Sequence, residues 1–284
     1  MLIHAMIYLE GQTNCLRTTE YWHEDVAHQR LIEFLNWGKY DLRSLNHNRF
    51  HHLLPFSLKA ASKDILGNYV LFSIDPSAFK KYKKMQGVHL TGDGNGTYKA
   101  MVMSSFIIGE STIPFKKILY YGKKGVPKGR QLEKSRIYVK LGIKAEQVSV
   151  PEKEKIAVFD GEGCSKKVLP YFHKSEHWKG FVTKFPRTRK ITVQEQTLHI
   201  RKYLCQLTQA DFQRKEVRGE EIFYHTLEVE IPSLTFLGTC RLVVIQNQPR
   251  NLKQEEMRVL ITDIPELSIE QILLIYLRRW KPII

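Results

Sequence analysis

The sequence predicts an α/β protein, in which an antiparallel β-meander is followed by alternating strands and helices. Apolar, β-rich runs joined by short turns occupy residues 68–122, which is the pattern of a meander. From about residue 131, predicted helices alternate with short apolar strands, an order typical of parallel strands. Residues 1–64 contain few strand signals and place apolar residues at helical intervals, so a small all-helical N-terminal segment is expected.

The composition carries a large excess of positive charge. Lys and Arg number 44 against 29 Asp and Glu in 284 residues, a formal net charge of +15. Because each phosphate contact releases counterions, this excess favours a polyanionic partner such as nucleic acid. A soluble protein that is merely basic is the alternative. A role at a membrane surface is disfavoured, since no strongly amphipathic basic helix is evident.

The cysteines and the N-terminus predict a cytosolic protein. The four cysteines are far apart and form no CxxC pair, which favours reduced thiols over a zinc ribbon or a disulfide scaffold. The first residues, MLIHAMIYLEGQ, lack the basic region and uninterrupted apolar run of a signal peptide. No stretch approaches the roughly 20 apolar residues that a membrane-spanning helix needs.

The N-terminal segment, residues 1–64, interleaves aromatic and basic residues with its helical pattern, for example at Trp22, Arg30 and Trp37. Breaks between short helices are expected at Gly38 and at Asn46–Asn48. A helical bundle that touches DNA and an ordinary helical cap are both open, because no helix-turn-helix pattern stands out.

The predicted meander consists of three apolar strands. They are NYVLFSID (68–75), YKAMVMSSFIIG (98–109) and IPFKKILYYG (113–122). Between the first two lies the glycine-rich stretch TGDGNGTYK (91–99). We interpret it as a hairpin connection and not as a phosphate cradle, because no Lys-Ser/Thr follows and no helix opens from it.

A helix from about Gln131 to Leu141 opens the α/β half. The wholly apolar strand in IAVFDGEG (156–163) ends at Asp160 and is followed by a helical run over 169–172 and a strand over 180–185. Residues from 186 to about 256 are rich in further predicted strands with polar turns, and we interpret them as one β-rich insertion. MRVLITDI (257–264) then returns to a buried strand.

The sequence closes on a predicted amphipathic helix. Ser268 and Gln271 form a capping-box pattern that marks its start. Its apolar residues fall on one face, at Ile269, Ile272, Leu273, Tyr276, Leu277 and Trp280. Arg278 and Arg279 lie off that stripe, and Arg278 is interpreted as solvated.

Two aspartates occupy similar places, since Asp75 and Asp160 each end a short apolar strand. Carboxylates at neighbouring strand ends can converge on a divalent cation, and hard oxygen ligands suit Mg²⁺. Two such ions about 4 Å apart can clamp a phosphodiester during in-line attack. Aspartate is also common in the turn after a strand, so an ordinary turn role stays open.

The stretches SIDPSAFKKY, IAVFDGEG and LLIYLRRW, in this order, resemble bacterial insertion-sequence transposases of the DDE class. The resemblance covers roughly residues 68–284 and implies an RNase H-like catalytic domain over 65–284, with 186–256 as its insertion. It implies that Asp75 and Asp160 are the first two catalytic acids, which would hold two Mg²⁺ or Mn²⁺ ions.

The family's third acid belongs to a YREK signature, in which Tyr, Arg, Glu and Lys are separated by two, three and six residues. Tyr276 and Arg279 match its first two members, and the resemblance implies that they contact DNA phosphate. The glutamate would stand at position 283, where this sequence has Ile283. We therefore expect a C-terminally truncated copy that neither cleaves nor joins DNA but keeps salt-sensitive DNA affinity.

The partner that the resemblance implies is DNA, in particular the terminal inverted repeats of an insertion sequence, in the bacterial cytoplasm at the nucleoid. A homodimer is open, and no membrane is expected. Lys80 and Lys84 after Asp75 either line a DNA path or form a solvated lysine run. Two alternatives to a transposase are a non-catalytic DNA-binding regulator of an intact element and a metal-dependent nuclease of the same fold.

Overall fold

The computed structural model describes residues 42–61, 64–80, 89–90, 97–119, 133–246 and 256–280. The chain divides into two compact units, Met1–Arg49 and Phe50–Ile284, and the sheet belongs to the second. Most of the predicted N-terminal helical segment lies outside the described residues. The break expected at Asn46–Asn48 is wrong, because one helix runs from Leu42 to Ala60. Asparagine is only a weak helix former, and a weak local preference does not by itself end a helix.

The described residues form one mixed sheet and its covering helices. The strands are β1 (Tyr69–Lys80), β2 (His89–Leu90), β3 (Thr97–Ile108), β4 (Ser111–Leu119), β5 (Glu154–Phe159), β6 (Gly180–Lys184), β7 (Lys190–Val193), β8 (Gln196–His199), β9 (Gln213–Val217), β10 (Glu220–Glu230), β11 (Thr239–Gln246) and β12 (Arg258–Thr262). The helices are α1 (Leu42–Ala60), α2 (Lys134–Glu146), α3 (Leu169–Lys174), α4 (Ile200–Gln206) and α5 (Ile269–Trp280). The predicted mixed α/β class is therefore confirmed.

The strand order reproduces the predicted meander followed by parallel strands. β3 pairs antiparallel with both β1 and β4, whereas β5 pairs parallel with β1 and with β6. The central order β3-β1-β5-β6 continues through β12, β11 and β10 to β7 and β8. The described residues between 186 and 246 contain β7 to β11, which extend the same sheet. That they form one insertion stays a prediction. This arrangement is compatible with an RNase H-like domain.

Alternation along the strands divides the core between the two faces of the sheet. One face carries Phe72, Phe106 and Phe159, and it is covered by apolar residues of α1, α2 and α3. The other face carries Leu71 and Val158 among others, and it is covered by α5. Residues two apart on a strand share a face, so positions 75 and 160 belong to the face that α5 covers.

Helix α5 begins at the predicted capping box and forms ion pairs with distant residues near its C-terminal end. The backbone N–H of Ser268 donates to the Gln271 side chain, and the backbone N–H of Gln271 donates to the Ser268 hydroxyl. Arg278, with 4% of its side chain exposed, pairs with Asp64 and with Glu110. The interpretation of Arg278 as solvated is therefore wrong. No helix in the described ranges is long and apolar enough to cross a membrane.

Candidate active site

Asp75 and Asp160 follow the last paired residues of two parallel strands. The β1–β5 ladder ends with Ile74 opposite Phe159, so the two aspartates are the next residues on neighbouring strands. Neighbouring strands lie about 4.8 Å apart, and both side chains belong to the face that α5 covers. The side chains are 50% and 42% exposed, respectively. The fold thus brings together the two carboxylates that the sequence singled out, which we call the acidic pair.

The strand that carries Asp75 is longer than predicted. β1 continues to Lys80 because β3 pairs with it from Leu71 to Lys80, and Asp75 stands opposite Met103. The expectation that Asp75 ends a strand is therefore wrong, although its parallel neighbour does end there. The acidic pair lies where β5 turns away and β1 continues alone beside β3.

Each member of the acidic pair has a cationic partner from another element. Nη2 of Arg279 on α5 lies 3.0 Å from Oδ1 of Asp75. Nζ of Lys184 on β6 lies 3.2 Å from Oδ1 of Asp160. The β5–β6 ladder ends with Phe159 opposite Thr183, which makes Lys184 the strand neighbour of Asp160. Arg279 was predicted from the closing signature, whereas Lys184 was missed.

A third ion pair lies next to Asp160. Glu162 lies in the 3-10 turn Gly161–Gly163. It accepts from Nζ of Lys134 through both carboxylate oxygens, at 3.2 and 3.0 Å. Gly163 keeps this turn close to the core, because a Cβ there would lie 2.4 Å from the ring of Phe159. Lys134 is the first residue of α2 and was not among the predicted site residues.

A buried phenol lies beside these charges. Tyr138 of α2 is 1% exposed, and its ring meets the ring of Phe159 edge-on, with centroids 6.0 Å apart. Its hydroxyl has no hydrogen-bond partner among the residues that the structure describes. Burial, followed by the negative charges of Glu162, Asp75 and Asp160, raises the pKa of the Tyr138 hydroxyl. No sequence signal distinguished this tyrosine from an ordinary core residue.

The structure describes the remaining predicted site residues only in part. Tyr276 is buried in the apolar layer between α5 and the sheet, which agrees with a packing role. Lys80 is described only as backbone at the end of β1, and Lys84 and Ile283 lie outside the described residues. Their roles in DNA binding or catalysis stay predictions.

The donor set suits a hydrated ion better than an enclosed one. Across the described ranges, no group of three or more His, Cys, Asp or Glu residues is placed to hold a metal ion. Mg²⁺, however, keeps several of its waters and is often bound through only one or two carboxylates together with substrate phosphates. Two half-exposed carboxylates on neighbouring strands meet that requirement.

Comparisons with known proteins add a similarity to a solved structure. No protein-family model and no curated protein matches the chain. Among solved structures, it is similar to a piggyBac transposase in its synaptic complex with hairpin DNA, with a TM-score of 0.44 and 12% sequence identity. The match covers 89% of this chain and 48% of that one, so this chain spans about half the length of the transposase.

Proposed function

We propose that this chain is a transposase-type protein that cleaves and joins DNA strands by divalent-metal-dependent phosphodiester chemistry at Asp75 and Asp160. The proposal departs from the inactivity expected from Ile283, because a hydrated Mg²⁺ ion needs only one or two carboxylates together with substrate phosphate. The observation that carries the proposal is the position of these two carboxylates, which lie next to each other on parallel strands, with Asp75 in contact with Arg279 of the closing helix. The three side chains come from distant parts of the sequence.

In this proposal Asp75 and Asp160 hold the metal, which would supply Lewis-acid stabilisation of the phosphodiester oxygens. Arg279 binds a phosphate near the reacting bond, since its planar guanidinium matches phosphate geometry with two hydrogen bonds. Because α5 packs its apolar face on the sheet, this guanidinium is held at a fixed place relative to the acidic pair.

Positive charge along α2, whose first residue pairs with Glu162, supports DNA as the partner. A groove of about 360 Å³ is lined by the first turns of α2 and by Lys167. Lys167 pairs with Glu133 at 2.6 Å, and Arg136 and Lys140 add two further cationic side chains. Together with the net charge of +15, this surface favours phosphate contacts that weaken with salt.

The experiment that tests the proposal measures nicking of supercoiled plasmid by the purified chain in Mg²⁺ or Mn²⁺. We expect metal-dependent nicking that Asp75→Asn and Asp160→Asn each abolish while duplex binding persists. Asp211→Asn is the matched control, because Asp211 is an exposed helix-capping carboxylate away from the acidic pair, and asparagine also caps. Nicking that survives both site substitutions would contradict the proposal.

The second candidate function is a non-catalytic DNA-binding regulator. It is favoured by the small number of metal ligands. Among the described residues, no third acidic residue completes a metal-binding group with the acidic pair, and position 283 carries Ile283. In this case the same preparation binds duplexes that carry terminal repeats but nicks none of them in either metal. Absence of any salt-sensitive DNA binding would refute both functions.

A further inference from the structure

The acidic pair is neutralised by two cationic neighbours. Asp75 and Asp160 contribute two negative charges, and Arg279 and Lys184 contribute two positive charges at 3.0 and 3.2 Å. These four side chains therefore sum to zero. A DNA phosphate gains little by approaching such a balanced group, because each cation is already engaged by a carboxylate.

A divalent ion changes that balance. An ion coordinated by the acidic pair occupies the carboxylate oxygens that Arg279 and Lys184 contact, and it repels both cations. The side chains stay tethered by β6 and α5, so the released charges remain within reach of the site. With the ion bound, the group carries a net positive charge, which attracts the phosphates of a DNA strand.

We propose that a divalent ion bound at Asp160 displaces Lys184, which then binds a DNA phosphate. Metal and DNA therefore bind cooperatively. The inference rests on the proposed function, since it requires the ion to bind Asp75 and Asp160. Lys184 suits this role because ammonium is a compact charge on a flexible stem, and because its side chain is 32% exposed.

A second feature of the same cluster indicates that a ligand belongs there. The Tyr138 hydroxyl is buried beside the acidic residues without a hydrogen-bond partner in the described structure. A buried polar group is normally satisfied, and the exceptions concentrate at functional sites. A ligand that brings oxygen atoms to this cluster, such as hydrated metal with phosphate, offers the missing partner.

Lys134 provides a matched control with an ion pair of its own. It pairs with Glu162 at 3.0 Å, and its side chain is 29% exposed, close to the exposure of Lys184. Its partner is a carboxylate outside the acidic pair, so a metal at Asp75 and Asp160 does not release it. A general loss of positive charge is therefore separable from loss of the metal-dependent contact.

The experiment measures the affinity for a short labelled duplex by fluorescence anisotropy, in Ca²⁺ and in EDTA, so that binding is observed without turnover. For the wild-type chain we expect Ca²⁺ to tighten DNA binding about fivefold or more, which is the usual range for coupled sites. Lys184→Gln should lose most of that gain and reduce the salt slope by about one in Ca²⁺ only. Lys184→Arg should retain the gain.

The same variants are titrated with Mn²⁺ in the absence of DNA. Lys184→Gln should bind the ion more tightly than wild type, because the cation that competes for Asp160 is gone, whereas Asp160→Asn should bind it more weakly. Lys134→Gln should change DNA affinity by the same factor in Ca²⁺ and in EDTA.

Two results would overturn the inference alone. The first is that Lys184→Gln lowers DNA affinity equally with and without Ca²⁺, and the second is that it changes DNA affinity in neither condition. Both results count against the inference alone if Asp75→Asn and Asp160→Asn weaken Mn²⁺ binding. If neither aspartate substitution changes Mn²⁺ binding, the proposed function fails first, and the inference fails with it. Folding of each variant is checked by its thermal unfolding midpoint.

Discussion

Replacing Tyr138 by Phe removes one oxygen atom from the candidate site and leaves its packing in place. The ring keeps its edge-on contact with Phe159 and its place against Gly163. What disappears is a buried hydroxyl that has no hydrogen-bond partner in the described part of the chain. We expect Tyr138→Phe to stabilise the metal-free protein.

The magnitude follows from the cost of burying an unsatisfied polar group, which is about 1–3 kcal/mol. Taking the lower end, the free energy of unfolding should rise by about 1 kcal/mol. For a chain of this size, that corresponds to an increase of roughly 2–4 °C in the unfolding midpoint. Urea unfolding monitored by circular dichroism measures the free energy, and calorimetry measures the midpoint.

Tyr171 of α3 provides a control of the opposite sign. Its hydroxyl donates to Oε1 of Glu146, which also accepts from Ser175 and Trp178. Tyr171→Phe removes the same atom but breaks a hydrogen bond, and it should cost about 1 kcal/mol. If Tyr138→Phe destabilises the protein to the same extent as Tyr171→Phe, the Tyr138 hydroxyl has a partner and the reasoning is refuted.

The same substitution predicts a difference at alkaline pH. Burial raises the pKa of Tyr138 in the folded state, so the unfolded chain loses its phenol proton first, near the ordinary value of about 10. Below that pH the phenol is protonated in both states and its ionisation does not affect the free energy of unfolding. As pH rises from there towards the folded pKa, the free energy of unfolding falls. Wild type should therefore lose stability above pH ~10 more steeply than Tyr138→Phe, as measured by urea unfolding across that range.

Three further substitutions test the fold. Arg278→Ala should lower the free energy of unfolding by about 2 kcal/mol. This is less than the roughly 3–5 kcal/mol expected for a fully buried pair, because one acidic partner, Glu110, is half exposed. A loss below about 0.5 kcal/mol in urea unfolding would show that the pair contributes no more than a surface ion pair. Ser268→Ala should cost about 1 kcal/mol in the same assay through loss of the cap, whereas Ser268→Asp should not. Burial raises the pKa of Asp263, so the wild type should lose stability as pH rises above about 4. Asp263→Asn should reduce this loss, and a pH profile of stability equal to that of the wild type would contradict the prediction.

The local elements of this fold could be predicted from the sequence, because their signals lie within a few residues of each other. The capping box at Ser268 and Gln271 forms as its spacing predicts. The apolar strand before Asp160 and the meander strands β1, β3 and β4 also form. Each depends on hydrophobic periodicity or turn chemistry, which the nearest neighbours in the chain decide.

Strand limits and partners were less predictable, because they depend on distant residues. β1 passes Asp75 and reaches Lys80 since a strand about twenty residues later pairs with it. Arg278 looked solvated because it lies off the apolar stripe of its helix, yet Asp64 and Glu110 bury it. Periodicity within one helix carries no information about what the opposite face meets.

By itself, the sequence determined the mixed α/β class and pointed to the two acidic residues on which the proposed chemistry depends. Only the tertiary structure decided which groups surround them. Lys184 reaches Asp160 through strand register, and Tyr138 reaches the cluster through helix packing. The physical reason is that composition and periodicity determine local conformation, whereas register and packing bring together charges that lie far apart along the chain.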